Sequence, residues 1–274
     1  MSSLPPELAD RLIRLRNADG GFPPSAGGAS EPEPTALAAI ALDDAAARGW
    51  LERAQRADGG FIVGPAAVSN DSPTPFAALA LSPGNAGERA VDYIAGHQAP
   101  RLGFDERFPH DPETRGWGWT SRTFGWVEPT ARALLVMKLL RPAAREQIAD
   151  GDRVLSDREC RRGGWNYGNR EVLGTAYDPY LQTTAAGLLA VQDRTDPLRD
   201  RAVAVIRQLW RAEAGGLGWA MSLAALHANG LREPALEARL SELIGRTNLL
   251  GDAVALAWAA IALGPGIERL RIRR

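Results

Sequence analysis

Residues 50–61 read WLERAQRADGGF, and after a polar interval that ends in NDSPTP at 70–75 the apolar run FAALAL follows at 76–81. The paired glycines Gly59 and Gly60 can adopt the left-handed backbone that ends a helix. The serine, threonine and prolines of the interval favour the start of a second helix. Because this second helix is apolar nearly all round, we expect it to be buried. The stretch therefore predicts a hairpin made of a half-exposed outer helix and a buried inner helix.

The same pattern recurs along the chain. The segment NADGGF at 17–22 matches RADGGF at 56–61 in five of six positions. Such self-similarity at a spacing of about 40 residues is typical of repeat architectures. Later glycine breaks are expected at GGWNYG (163–168) and GGLGW (215–219), Asn248 replaces the glycines in the last copy, and inner helices are predicted near 36–42, 76–81, 131–140, 182–192, 220–227 and 252–263. About six hairpins can close into a ring, so we predict an all-α, α/α toroid that forms a single domain over residues 1–274.

Composition excludes several classes of protein. The 274 residues carry a formal net charge of -1 and are 45% hydrophobic, which favours a globular fold and gives no electrostatic reason to expect nucleic acid as a partner. One cysteine, Cys160, excludes an internal disulfide and a multi-cysteine metal site. Residues 1–10 lack a basic segment followed by an apolar core, and no apolar run reaches the about 18 residues of a spanning helix. We therefore expect a cytoplasmic protein without a transmembrane segment.

Two extended loops, near 96–128 and 160–180, interrupt the repeats. A loop of this length inside a compact array is usually functional or disordered, and the aromatic content argues against disorder. The aromatic side chains either fill the core or line an apolar cavity. His97 and His110 are single loop histidines, which we expect to be solvated. The candidate ligand-binding aromatics are Trp117, Trp119, Trp126, Trp165, Tyr167, Tyr180 and Trp219.

Acidic residues stand at the starts of the inner helices. Capping of the helix and interaction with its dipole explain such residues without any function. In a closed toroid, however, the N-termini of all inner helices meet at one rim, so these groups would surround the mouth of a cavity. Glu128 and Asp178 are the candidate catalytic residues because both follow the long loops, and Arg132 lies one turn beyond Glu128, where it could keep that carboxylate ionised. The full set is Glu33, Asp71, Glu128, Asp178 and Asp252.

These residues resemble a known family. The segment Gln55-x-x-Asp58-Gly-x-Phe61, with Trp50 five positions before the glutamine, is similar to the QW repeat of squalene-hopene and oxidosqualene cyclases. GGWNYG at 163–168 and the Pro-Thr-Ala helix starts resemble repeats that these cyclases share with the β subunits of protein prenyltransferases. The resemblance covers nearly the whole chain. It implies an α/α toroid whose members bind isoprenoids in an aromatic-lined cavity.

The motifs that carry the chemistry of this family are missing. Class II cyclases protonate their substrate with an Asp-x-Asp-Asp motif, which does not occur here. The pair Asp43-Asp44 follows an inner helix instead of preceding one. Protein prenyltransferases hold zinc with Asp, Cys and His; here Asp157 and Cys160 have the wrong spacing, and Leu181 stands in place of the histidine. We therefore expect no zinc and no metal site, although a diphosphate ligand could bring Mg²⁺ with it.

Three functions remain open. The first is an isoprenoid-handling toroid, cyclase-like or transferase-like, in which Arg122, Arg162 and Arg170 in the long loops bind a diphosphate head group near the helix N-termini. The second is a non-catalytic toroid that binds an apolar ligand or a partner protein. The third is a glycan-active enzyme, since some α/α toroids use carboxylate pairs beside aromatic platforms.

Overall fold

The computed structural model describes residues 4–63, 70–101, 103–107, 109–120, 123–213 and 215–273, and these form two rings of helices, one inside the other. Each inner helix packs against the next, and the last packs against the first, so the inner ring is closed. The predicted α/α toroid is confirmed. The inner helices are α2 (Pro32–Leu42), α4 (Thr74–Leu81), α6 (Val127–Leu140), α8 (Leu181–Ala190), α10 (Gly216–Ala228) and α12 (Ala253–Leu263).

The outer helices lie against the inner ring. Each packs on the inner helix that precedes it in the chain, and the first outer helix, α1, packs on the last inner helix, α12. The ring therefore closes where the first helix of the described chain packs on the last inner helix. The outer helices are α1 (Pro6–Ile13), α3 (Ala45–Ala54), α5 (Asn85–Gly96), α7 (Arg145–Asp157), α9 (Pro197–Ala212) and α11 (Pro234–Thr247). Within the described residues, no helix has both the length and the apolar character needed to cross a membrane.

The glycine breaks behave as the sequence predicts in three repeats. Gly20, Gly59 and Gly163 have φ angles of 91°, 91° and 87°, in the left-handed region that favours glycine. The backbone N–H of each of these glycines donates to the carbonyl of the residue three positions earlier. The N–H of that earlier residue donates to the carbonyl of the next glycine in the chain. In the fourth repeat the residue in this turn is Cys160. Its place is therefore that of a turn residue, held by backbone hydrogen bonds.

The fifth break differs from the prediction. Helix α10 already begins at Gly216, so GGLGW at 215–219 forms the first turn of the inner helix instead of a turn before it. In the sixth repeat, Asn248 ends α11 with a φ angle of 50°, and the carboxylate of Asp252 accepts hydrogen bonds from the N–H groups of Val254 and Ala255. These two residues therefore perform the helix-ending and helix-capping roles that the sequence predicts.

A buried threonine near the start of the inner helix fixes the aromatic residue after the glycine break. In four repeats, the backbone N–H of the aromatic donates to the threonine Oγ1, and the threonine hydroxyl donates to the aromatic carbonyl. The pairs are Phe22–Thr35, Phe61–Thr74, Trp117–Thr130 and Trp165–Thr184, with N–H to Oγ1 distances of 2.8, 3.0, 2.9 and 3.0 Å. These two hydrogen bonds show which residues are equivalent in the four repeats, without reference to sequence similarity.

The register corrects the alignment of the fourth repeat. Since Thr184 is equivalent to Thr130, the residue equivalent to Glu128 is Gln182 and not Asp178. Asp178 belongs to the loop before α8, which contains a short antiparallel hairpin of β1 (Glu171–Val172) and β2 (Thr175–Ala176).

Residues of the QW-like segment connect neighbouring repeats. The indole N–H of Trp50 donates to the Asp19 carboxylate of the preceding repeat at 2.9 Å. The side-chain amide of Gln55 donates to the carbonyls of Gly59 at 2.9 Å and of Ala86, in the next outer helix, at 2.8 Å. Trp50 and Gln55 therefore serve the fold, because the bonds to Asp19 and Ala86 hold neighbouring repeats in fixed relative positions.

Candidate functional site

Two side chains meet across the interior of the inner ring. Helices α4 and α12 are separated in the ring by α2, yet the rings of Phe76 and Trp258 meet edge to face with centroids 5.4 Å apart. Both side chains are almost completely buried. A contact between these two helices has to cross the interior. On this side of the ring, side chains therefore occupy the space in which the sequence analysis expects a cavity.

Arg132 of α6 lies above this contact and joins three inner helices. Its guanidinium is 3.0 Å from the Glu33 carboxylate of α2 and 2.6 Å from the Glu128 carboxylate of its own helix. The same group lies over the rings of Phe76, at 5.1 Å, and Trp119, at 5.7 Å. The Arg132 side chain is only 8% exposed. We call Glu33, Arg132 and Glu128 the arginine clamp.

The guanidinium of the arginine clamp stays charged. Burial lowers the pKa of Arg132, but the two carboxylates raise it by more, so the net shift is upward. The predicted pairing of Glu128 with Arg132 is present, at 2.6 Å. A catalytic role for Glu128 stays a prediction.

Asp178 does not join this group. Its side chain is 77% exposed and lies 3.7 Å from the equally exposed guanidinium of Arg162. Asp178 lies in the loop before α8, and a catalytic role for it stays a prediction. Asp178 and Arg162 form a surface ion pair, and such pairs contribute little to stability.

Three tryptophans cap outer helices from within the core. The indole N–H of Trp117 donates to the carbonyl of Ile94, and that of Trp165 donates to the carbonyl of Leu155, at 2.8 and 2.7 Å. Trp219 donates in the same way to carbonyls at the end of α9. All three side chains are buried. They add hydrogen bonds to carbonyls near the ends of these helices, where intrahelical donors run out. A ligand-binding role for the three tryptophans stays a prediction.

A cavity of about 340 Å³ lies at the rim formed by the N-termini of the inner helices. The loop between α5 and α6 forms one wall, and the end of α7 forms the other. We call it the rim cavity. Its aromatic wall is Phe124 and Trp126, whose rings meet at 5.1 Å, and its polar wall includes His110, Arg158 and Asn169. Of the predicted ligand-binding residues, Trp126 lines this cavity.

His110 is buried, in contrast to the prediction that it is solvated. Its Nε2 lies 3.1 Å from Oδ1 of Asn169, and its Nδ1 lies 3.8 Å from the Asp157 carboxylate. Burial and the neighbouring Arg158 guanidinium lower the pKa of His110 to about 4. The imidazole is therefore neutral at physiological pH. The sequence contains no signal for this, since Asp157 and Asn169 come from another repeat and an adjacent loop.

Arg158 is the cation of the rim cavity. Its Nε lies 3.0 Å from the Asp157 carboxylate in an ion pair, one terminal nitrogen donates to the carbonyl of Gly168 at 3.3 Å, and the guanidinium stacks 4.5 Å from the Phe124 ring centre. Burial lowers its pKa to about 10, so the side chain remains charged at neutral pH. Arg170 approaches the same carboxylate at 3.9 Å. Burial raises the pKa of the nearby Cys160 thiol to about 11, which disfavours the thiolate that metal binding or nucleophilic attack would need.

The other predicted ligand-binding residues are dispersed. Trp119 lies beside the arginine clamp, whereas Tyr167 and Tyr180 are exposed and form a tilted pair with ring centres 5.0 Å apart. Arg170 touches the edge of the rim-cavity cluster, and Arg162 is on the surface. Arg122 lies outside the described residues. The predicted ligand-binding residues that the structure describes therefore lie in several separate places.

The neutral state of His110 predicts a pH dependence of stability. Its ordinary pKa of 6.5 applies to the unfolded chain and about 4 to the folded chain, so between these values only the unfolded chain binds the proton. The free energy of unfolding should therefore fall as the pH falls from about 6.5 to 4, by roughly 1–3 kcal/mol from this residue. Urea denaturation at several pH values measures this change in the free energy of unfolding. His110→Gln should remove this component, and His97→Gln, at an exposed histidine, should keep it; equal pH profiles for both variants would contradict the assignment.

Comparison with known proteins supports the fold and not an activity. No family model matches the sequence, and no curated protein matches it. The type II terpene cyclase MstE from Scytonema, in its apo form, has a TM-score of 0.60 and 17% identity, over 94% of this chain and 96% of that chain. The α-1,6-mannanase GH76A from Salegentibacter sp. HEL1_6 has a TM-score of 0.60 and 9% identity, over 94% and 98%. A protein from Actinoplanes has a TM-score of 0.57 and 16% identity, over 94% and 98%.

The predicted resemblance to terpene cyclases is thus supported at the level of architecture, and no sequence match confirms the repeat family. At these identities the similarity extends to the fold alone. The chain has the α/α toroid fold that type II terpene cyclases and GH76 mannanases share.

Proposed function

We propose that this toroid binds a small, partly apolar molecule of isoprenoid type in the rim cavity, and that the arginine clamp has a structural role. The observation that supports it is the cavity itself, in which two aromatic rings face a buried histidine and a buried arginine. Pockets for small molecules usually combine apolar walls with a few fixed polar groups. MstE, which shares the fold, has been solved in complex with its substrate geranylgeranyl dihydroxybenzoate.

The polar wall suits a ligand with an anionic head group. Arg158 is buried and cationic, and burial is what lowers its pKa. An anion at the guanidinium would offset that cost, because opposite charges interact strongly where water is excluded. His110 is neutral at physiological pH and adds no charge of its own. The apolar part of the ligand would then lie along Phe124 and Trp126.

The size of the cavity limits the tail. A volume of about 340 Å³ is near the lower end of the range for ligand pockets, which is about 300–1,000 Å³. Each methylene that fits inside contributes about 0.8 kcal/mol, and each that remains outside contributes little. Affinity should therefore rise from dimethylallyl to geranyl diphosphate and then level off.

Calorimetric titration with dimethylallyl, geranyl, farnesyl and geranylgeranyl diphosphate tests the proposal. Trp126→Ala should weaken the geranyl ligand about tenfold, since the tail loses one aromatic wall. Arg158→Gln combined with Asp157→Asn removes the head-group cation without leaving an orphan charge, and should weaken all four ligands alike. Arg162→Ala and Tyr167→Ala, at exposed positions, should leave every affinity unchanged. Circular dichroism establishes that each variant is folded.

Two results would contradict this assignment. A steady rise in affinity up to geranylgeranyl diphosphate would place the tail outside the rim cavity. Unchanged affinity in Trp126→Ala would exclude the rim cavity as the binding site. Binding of none of the four ligands would favour a partner protein. One observation supports that second candidate: five exposed large apolar side chains lie on the two long loops, namely Phe104, Tyr167, Leu173, Tyr177 and Tyr180.

A glycan-active function receives less support. Glycoside hydrolases need one carboxylic acid that is protonated beside one that is ionised. Glu33 and Glu128 are the paired carboxylates at the ring, and both lie against the charged Arg132. The Arg132 side chain therefore occupies the space between the two carboxylates, where a glycosidic bond would have to lie.

A further inference from the structure

A second cavity, of about 530 Å³, lies at the opposite rim, where the inner helices end. We call it the C-terminal cavity. The ends of α10 and α12, the first turns of α11 and the segment 264–271 form its walls. Neither the resemblance nor the proposed function involves this side of the ring. Its polar lining residues are His227, Arg232, Glu237, Ser241, Glu268 and Arg271.

The hydrogen-bond partner of His227 Nδ1 shows which ring nitrogen carries the hydrogen. Nδ1 lies 2.8 Å from the carbonyl oxygen of Ala262, and because a carbonyl only accepts, Nδ1 carries the hydrogen. In the neutral ring, Nε2 is therefore an acceptor. Among the described residues Nε2 has no hydrogen-bond partner, although the side chain is only 11% exposed.

A second acceptor lies close to Nε2. The Glu237 carboxylate lies 4.0 Å away, which is too far for a hydrogen bond and leaves two acceptors facing each other. Such an arrangement needs a donor between them. Ser241 offers a third acceptor in the same cavity, because its hydroxyl hydrogen is directed to the Glu237 carbonyl at 2.9 Å. A group with three N–H donors matches three acceptors.

The ionic groups and helix ends of the cavity balance, so its hydrogen-bond acceptors decide what it binds. Arg232 pairs with Glu237 at 3.3 Å and Arg271 pairs with Glu268 at 2.9 Å. Helices α10 and α12 end here, each with about half a negative elementary charge, whereas α1 and α11 begin here, each with about half a positive one. We propose that the C-terminal cavity binds the ammonium group of a small primary amine between His227 and Glu237.

Three probes of equal size test this at pH 8: n-propylamine, n-propanol and propionate, titrated into the full chain and followed by NMR. We expect saturable binding of the amine, at least about tenfold tighter than the alcohol, and no binding of propionate. The factor corresponds to one charge-assisted hydrogen bond. Preference for propionate, or no saturable binding of the amine to the folded chain, would overturn the proposal.

Matched variants assign the binding to the pair. His227→Asn can keep a donor to the Ala262 carbonyl while removing Nε2, and Glu237→Gln removes the charge with little change of shape; each should weaken the amine about tenfold. Glu242→Gln is the control, since this residue lies on the same helix α11 and pairs with Arg239 and Arg246 outside the cavity. Equal affinity in all three variants would place the amine elsewhere. Trp126→Ala, in the other cavity, should have no effect, so this result is independent of the proposed function.

Discussion

Replacement of Arg132 by methionine is expected to lower the free energy of unfolding by about 3–5 kcal/mol. The substitution leaves the Glu33 and Glu128 carboxylates, 20% and 14% exposed, without their shared cation. A charge that has lost its partner away from water carries the full desolvation cost. The apolar methionine side chain keeps most of the packing against Phe76, so the loss reports on charge and not on volume. Chemical denaturation of the full chain measures the effect.

A rescue experiment identifies the cause. The triple variant Arg132→Met, Glu33→Gln, Glu128→Gln contains no orphan charge and should recover most of the lost stability, because removing all members of a buried ionic group is often nearly neutral. Arg239→Met is the control, since that arginine is 54% exposed and pairs with Glu242 on the surface. It should change stability by less than about 1 kcal/mol. A cost below this value for Arg132→Met would show that the arginine clamp is not a structural element.

Replacement of Trp165 by alanine should cost about 3–5 kcal/mol. The side chain is completely buried, and its ring lies so close to Gly187 that a Cβ at that glycine would collide with it. The substitution therefore opens a large cavity between α7 and α8. It also removes the indole N–H that satisfies the carbonyl of Leu155. Thermal and chemical denaturation should both detect the loss.

Two further variants separate packing from hydrogen bonding at this position. Trp165→Phe retains much of the ring volume and loses the donor, so we expect a smaller cost, of about 1–3 kcal/mol. Tyr180→Ala, at an aromatic that is 43% exposed, should change stability by about 0.5 kcal/mol or less. If Trp165→Ala kept the stability of the natural protein and changed only ligand affinity, Trp165 would be a cavity-lining residue, as the sequence analysis allows.

The sequence alone was sufficient for the repeat architecture. Helix periodicity, the left-handed glycines such as Gly59 and the caps such as Asp252 depend on a few adjacent residues, so their signals survive in a single sequence. The repetition of these signals then predicted a closed ring. It did not reveal that α1 completes the ring against α12, because no local signal specifies which distant helix a stripe of apolar residues packs on.

The candidate sites were decided by the tertiary structure. The equivalence of Gln182 with Glu128 follows from the hydrogen bond between Trp165 and Thr184, and the long loop before α8 hides it in the sequence. The contact across the ring interior joins Phe76 and Trp258, which belong to helices far apart in the sequence. His110 is buried because Asn169 and Arg158, which belong to the next repeat and its loop, fold against it. Burial and charge depend on neighbours that are distant in the sequence, so the residues adjacent to each site do not predict them.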